Sequence, residues 1–293
     1  MGNDTRILDF REITNDTGRF ILILSREDYS RIYPGMYRYC VSLMTKNGML
    51  LDFRTNTLEY SPGSPRSAEQ VSREKMDEWN RIVREDPGLL IPPPVEHGPV
   101  NLRLSRADVV ILQGSPRADG TCGFIAKWVA DTARDMGRTA LVFFPHDMDI
   151  HSCIGCYQCF NSGSCTFNDE MEEILYATRY AVLVVICSPV YTNTVPAGLK
   201  TIFDRALSYH ASMTLGILQG HPKGLLFAVA GRKGGANFTC TRRVVRAFME
   251  ITGIIPVGEI MFDDMDNLRD INGVEGAEPG VRLLVRQSLG LQP

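Results

Sequence analysis

Five runs of strand length in the carboxyl-terminal two-thirds of the chain are apolar almost from end to end. They are "ADVVILQG" (107–114), "TALVFFP" (139–145), "AVLVVICS" (181–188), "GLLFAVAG" (224–231) and "IIPVGEIMF" (254–262). A strand apolar on both of its faces must be covered on both, which is the condition of a parallel sheet between helix layers. Segments of helical pattern lie between these runs, at about 121–137, 170–179, 196–211 and 237–252. Strands alternating with helices indicate an α/β domain, expected as a doubly wound five-stranded parallel sheet of order 2-1-3-4-5. Ligands of such a sheet sit beyond the carboxyl ends of its strands, at the switch point.

This domain, expected over 105–293, follows a break. "IPPPVEHGPV" (91–100) holds four prolines and a glycine, which forbid a helix interior or a central strand, so 91–104 reads as a linker. Residues 1–90 read as a small α+β domain. Strand patterns occur at 19–25, 36–45 and 49–60, and Asn47-Gly48 between the last two signals a hairpin. Ser67 and Gln70 form a capping box opening a helix to about Glu85, with Met76, Trp79 and Val83 on one face. Nothing in this domain carries visible chemistry.

Composition narrows the function classes. A net charge of −3 over 293 residues gives no electrostatic ground for nucleic acid or an anionic membrane as partner. The most apolar stretch, "AVLVVICSPV" (181–190), is too short to span a bilayer. The amino terminus lacks the pattern of a secretory signal, so a cytoplasmic protein is expected. The eight cysteines are then expected to be reduced. Cys40 and Cys187 lie in apolar runs and read as core residues, with Cys240 similar on a helix.

The loops at the carboxyl ends of the strands carry the candidate chemistry. In "QGSPRADGTCGF" (113–124), Gly114 and Gly120 permit a tight turn that aims backbone N–H groups at an anion before a helix. Arg117 adds a charge-assisted contact. The loop lacks both G-x-G-x-x-G and G-x-x-x-x-G-K-[ST], so a phosphate monoester suits it better than a pyrophosphate. After the third strand, Pro189 and Pro196 stiffen a loop in which Tyr191 could stack on a ring and Thr192, Asn193 and Thr194 offer hydrogen bonds. After the fourth, "GRKGGAN" (231–237) allows close backbone approach to a flat ligand, with Arg232 and Lys233 as candidate partners for nucleotide phosphates. The acidic stretch 263–276 fails the calcium-loop register and reads as a plain acidic loop.

"CIGCYQCFNSGSC" (153–165) places Cys153, Cys156, Cys159 and Cys165 in the spacing C-x2-C-x2-C-x5-C. Three thiolates in seven residues form a tight cup of the kind a cubane cluster accepts. Zinc sites usually draw pairs from separated loops, and disulfides would need very short rings in a reducing compartment. The spacing favours a [4Fe–4S] cluster over zinc or redox-active thiols. His151, just outside, reads as a surface residue.

The stretches "GSPRADGT", "SPVYTNTVPAGLKTIFDR" and "CIGCYQCFNSGSC…DEM" resemble the NADPH-dependent FMN reductase superfamily, a flavodoxin-like group, and within it the iron–sulfur flavoproteins. The likeness spans roughly 105–265 and leaves out the amino-terminal domain. It implies FMN, with its phosphate at Ser115, Arg117, Gly120, Thr121 and Cys122. It implies an isoalloxazine bordered by Pro189, Val190, Tyr191, Thr192 and Asn193, with Gly231 and Gly234. It also implies a [4Fe–4S] cluster on the four cysteines. Thr121-Cys122 stands where the family often has Asn-Thr, which removes one amide donor.

The loop carrying the cysteines follows strand two, on the phosphate side of strand one. The cluster is therefore expected to serve the flavin of a neighbouring subunit in a homodimer or homotetramer. The expected activity is an FMN-dependent oxidoreductase passing electrons between flavin and cluster, with NAD(P)H a possible co-substrate and a small-molecule or protein electron donor or acceptor. Two alternatives are an FMN-dependent biosynthetic dehydrogenase or reductase acting on a specific small organic substrate, and a non-catalytic redox sensor. No acid or base residue stands out.

Overall fold

The structure is a computed structural model that describes residues 4–60, 63–90 and 102–290. Residues 91–101, most of the expected linker, lie outside the described residues. Two compact units emerge, and they do not divide at a single point of the chain. The first comprises Met1–Pro99 together with Ile154–Thr166, the second Val100–Cys153 with Phe167–Pro293. Most of the cysteine segment thus groups with the amino-terminal unit.

The first unit is a four-stranded antiparallel meander, β1 (Thr5–Asn15), β2 (Gly18–Asp28), β3 (Tyr37–Thr45) and β4 (Gly48–Asn56), paired in sequence order. Helix α1 (Ala68–Glu85) begins at a capping box in which Ser67 Oγ accepts from Gln70 N–H and the Gln70 side chain accepts from Ser67 N–H. Its buried face, Met76, Trp79 and Val83, closes a core with Ile13, Phe20, Leu22, Leu24, Val41 and Leu43. A one-turn helix, Cys159–Ser162, belongs to this unit and ends at Gly163 in the left-handed conformation.

The second unit is a five-stranded parallel sheet. Its strands are β5 (Val109–Gln113), β6 (Ala140–Phe143), β7 (Leu183–Pro189), β8 (Lys223–Val229) and β9 (Ile255–Phe262), in the spatial order β6-β5-β7-β8-β9. This is the doubly wound order 2-1-3-4-5 of a flavodoxin-like domain. Every residue of β5 and β7 is buried. Successive side chains feed opposite layers. Val109, Ile111, Val185 and Phe227 pack under α2 (Thr121–Asp135). Val110, Leu112, Val184, Ile186 and Leu226 pack under α3 (Met171–Tyr180), α4 (Ala197–Arg205), α5 (Leu207–Thr214) and α6 (Thr239–Ile251). A final helix, α7 (Ala277–Gly290), covers the α2 side through Val281 and Val285.

Three sequence expectations need correction. The helix expected at 196–211 is broken at Ala206 into α4 and α5. Cys240 is exposed on α6 rather than buried, whereas Cys40 and Cys187 are buried as expected. The acidic stretch 263–276 is not a plain loop, because it is hydrogen-bonded into the carboxyl edge of the sheet. No described helix is long and apolar enough to cross a membrane.

Candidate functional site

A cavity of about 1060 Å³ opens at the carboxyl ends of the parallel strands, at the upper end of the range for small-molecule sites. Four carboxyl-end loops build it, after β5, β7, β8 and β9.

The loop after β5 is folded back by its own side chains. Gln113 Nε2 donates to Arg117 O at 3.1 Å, Ser115 N–H to Gln113 Oε1 at 2.5 Å, and Arg117 N–H to Ser115 Oγ at 3.2 Å. The return is so close that a Cβ on Gly123 would lie 1.8 Å from Ala118 O. Gly114 donates to Cys187 O at 2.8 Å, and a Cβ there would overlap the Leu199 side chain. Helix α2 then starts at Gly120, whose N-cap position offers no side-chain acceptor. The first N–H groups of a helix have no intrahelical partner, which makes a helix start a suitable place for an anion. Ser115, Arg117, Gly120, Thr121 and Cys122 all line the cavity. The Cys122 thiol itself is buried under the helix, and that burial pushes its pKa up to about 12. It is a core group rather than a reactive thiolate.

The loop after β7 is a two-residue reversal. Tyr191 and Thr194 exchange N–H···O bonds at 2.9 and 3.0 Å, and Thr192 and Asn193 between them have φ of 47° and 63°. Consecutive left-handed residues make a type I′ turn, and a β-branched threonine there is strained. Pro189, Val190, Tyr191, Thr192 and Asn193 border the cavity, with Tyr191 exposed enough to meet a ligand ring.

The loop after β8 contributes Gly231 and Arg232. Gly234 is not among the lining residues. Its N–H donates to Asp263 at 2.5 Å, and its φ of 113° turns the loop. Sequence reasoning missed the opposite wall, formed by Met265, Asp266, Arg269, Asp270 and Ile271. These residues are held by Met265 N–H to Ala230 O at 3.2 Å and Asp266 N–H to Gly231 O at 3.0 Å. A Cβ at Gly231 would sit 2.4 Å from the Asp266 carboxylate. The missed signal was the acidic stretch immediately following β9, a carboxyl-end loop like the other three.

The family of NADPH-dependent FMN reductases matches residues 107–264, a stretch that contains the first three loops and all four clustered cysteines. The chain belongs to this family. An iron–sulfur flavoprotein of Methanocaldococcus jannaschii is 32% identical over 183 residues, covering 59% of this chain and 89% of that protein. A second iron–sulfur flavoprotein of the same organism is 27% identical over 151 residues, covering 52% of this chain and 76% of its own length. Among solved structures, an NAD(P)H:quinone oxidoreductase from Methanothermobacter marburgensis is 16% identical, with a TM-score of 0.49 over 64% of this chain and 98% of that one. As a member of the family the chain is an FMN-dependent oxidoreductase, and the residues before 107, which include the whole antiparallel sheet and α1, lie outside the matched stretch. The chemistry of the lining suits FMN: the amino-terminal start of α2 and Arg117 border the same cavity as Gly231 and the aromatic Tyr191.

The cysteine segment has its own features. Gly155, Tyr157 and Gly163 take positive φ of 65°, 58° and 80°, so the chain reverses repeatedly. Cys159 is buried, and Cys153, Cys156 and Cys165 are partly exposed. Among the described residues, no three His, Cys, Asp or Glu side chains stand grouped as a metal site. As donors the thiols match iron, which takes thiolate ligands.

In the second unit, a buried ion pair ties the chain on either side of that segment. Arg205 Nη1 donates to Asp169 at 2.7 Å and to His151 O at 2.7 Å, and Arg205 Nη2 to Asp169 at 3.0 Å. His151 N–H also donates to Asp169, and its ring stacks on Phe167 at 4.9 Å. Burial works to raise the Asp169 pKa, but the Arg205 and His151 hydrogen bonds with the Arg205 charge outweigh it and leave it lowered.

Two outcomes follow from this geometry. Gly123→Ala must push the Ala118 carbonyl away, so FMN affinity in a fluorescence titration drops by about tenfold or more. Arg205→Met strands a buried carboxylate, and urea unfolding should show a loss of about 3–5 kcal/mol, whereas Asp169→Leu with Arg205→Met costs less. Because the folded Asp169 pKa is depressed, the pair stabilises fully at neutral pH. That stabilisation fades as the pH drops below the ordinary 3.8 and is lost through the lower folded value, a window that Arg205→Met removes.

Proposed function

We propose that this FMN-dependent oxidoreductase also carries a [4Fe–4S] cluster on Cys153, Cys156, Cys159 and Cys165 and passes electrons between the two groups. The observation that carries this reading is the four-thiol spacing lying inside the family-matched stretch, in a chain whose relatives are named iron–sulfur flavoproteins. FMN couples two-electron and one-electron chemistry, and the protein's share is binding, orientation and electrostatics.

In this reading the α2 amino terminus, with Ser115, Arg117, Gly120, Thr121 and Cys122, holds the phosphate by N–H donors and one guanidinium. Pro189, Val190, Tyr191, Thr192 and Asn193, with Gly231, border the ring, and Gly234 shapes the loop beside it through its bond to Asp263. The strained turn at Thr192 and Asn193 keeps backbone polar groups fixed at the ring edge. Arg232, at the mouth, is placed to attract the phosphates of NAD(P)H, and a small molecule or a redox protein serves as the other electron partner.

The sheet order supports an oligomer. The cysteine segment leaves the sheet from edge strand β6, whereas the ring-side loops leave β7 and β8 on the far side of β5. A flavin of a second subunit is then the natural partner of the cluster, in a homodimer or homotetramer.

Anaerobically purified protein should carry FMN together with iron and sulfide at about four each per chain. Excess NAD(P)H should bleach the flavin band, and sedimentation should return a dimer or tetramer. A colourless, zinc-loaded protein overturns the cluster reading, and a fully active monomer overturns the shared-subunit arrangement.

A further inference from the structure

The amino-terminal unit has no assigned role, and its buried polar side chains converge on one target. Asn56, at the end of β4, is wholly buried. Its Nδ2 donates to Asn161 Oδ1 at 2.8 Å and to Tyr157 O at 3.2 Å. Asn161 replies by donating from Nδ2 to Glu59 Oε1 at 2.7 Å. Arg38, buried on β3, donates from Nη1 to Phe160 O at 3.3 Å and Asn161 O at 3.1 Å. Arg54 donates to the same Asn161 O at 3.1 Å. Tyr33 closes the other side, its ring edge-on to Phe160 at 5.2 Å.

A one-turn helix cannot satisfy its own carbonyls. Here Cys159 O accepts from Gly163 N–H at 2.7 Å, and the sheet supplies donors to Tyr157, Phe160 and Asn161. Buried polar groups without partners would be costly, so this arrangement selects one loop conformation. It does so without adding positive charge. Arg38 is paired with Glu27 at 2.5 Å and Arg54 with Asp52 at 2.7 Å, and Glu59 adds a carboxylate.

We infer that the amino-terminal unit is a clamp for the cysteine loop, with Asn56, Glu59, Asn161 and Arg38 as positioning residues that fix the turn bearing Cys156 and Cys159. The clamp stands on this hydrogen-bond geometry alone, and only its redox consequence rests on the cluster reading above. Its effect is mechanical, because the paired charges largely cancel.

The test uses the full-length chain with FMN bound. Asn161→Asp sets a carboxylate against Glu59 Oε1 in place of the amide that donates to it, and adding Glu59→Gln removes the charge repulsion and offers the new carboxylate an Nε2 donor. In metal-free protein, alkylation of Cys159 followed by peptide mass spectrometry should run about tenfold faster in Asn161→Asp and return near the wild-type rate in the double variant. Cys122 and Cys187, buried in the second unit, should label unchanged in all three proteins. In iron-loaded protein, the EPR spectrum of the reduced centre should shift in the single variant and revert in the double. Wild-type labelling in Asn161→Asp, or a double variant that fails to restore it, overturns the clamp. Restored labelling in a chain that binds no iron or sulfide keeps the clamp and sinks the cluster reading instead.

Discussion

A parallel strand buried on both faces must hand its chain to a helix beyond the same edge of the sheet, and the rest of this structure depends on that constraint. With β5 and β7 wholly buried, the loops after β5, β7 and β8 all emerge at the carboxyl edge. The stretch after β9 joins them by hydrogen-bonding to Ala230 and Gly231. The cavity is the space these turns leave between them. The opening of α2, Gly231 and the left-handed turn at Thr192 and Asn193 all border it. Flavin chemistry is grafted onto a scaffold whose own requirement is apolar burial.

The amino-terminal unit follows a different logic. Its sheet and α1 close an ordinary apolar core, but the polar ends of β3 and β4 carry buried arginine and asparagine that would be unfavourable without partners. Those partners are the carbonyls of a segment more than a hundred residues away in sequence. In the second unit, Asp169 and Arg205 perform a comparable task for the chain on either side of that segment.

How much of this could be read from the sequence depended on whether the signal was local. The parallel strands were legible because all-apolar runs have only one stable environment, and the capping box of Ser67 and Gln70 because its partners are three residues apart. Strand β1 was missed: only Ile13 is buried along it, so its pattern is that of an exposed edge. Helix α7 was missed because "EPG" sits in its first turn, where proline is tolerated but looks like a break. The wall at Met265–Ile271 was read as a plain acidic loop, since its place comes from backbone bonds to Ala230 and Gly231 that leave no mark on composition. The pairing of Asn56 with Asn161 joins side chains over 105 positions of sequence, beyond any local pattern.

The central claim is that the opening of α2 is an anion cradle that holds the flavin by its phosphate. Equilibrium titration of flavin-free protein with FMN and with riboflavin, which lacks only that phosphate, tests it most directly. The account predicts FMN binding tighter by about a hundredfold or more, with the difference shrinking as inorganic phosphate is added. Equal affinity for the two flavins would contradict it.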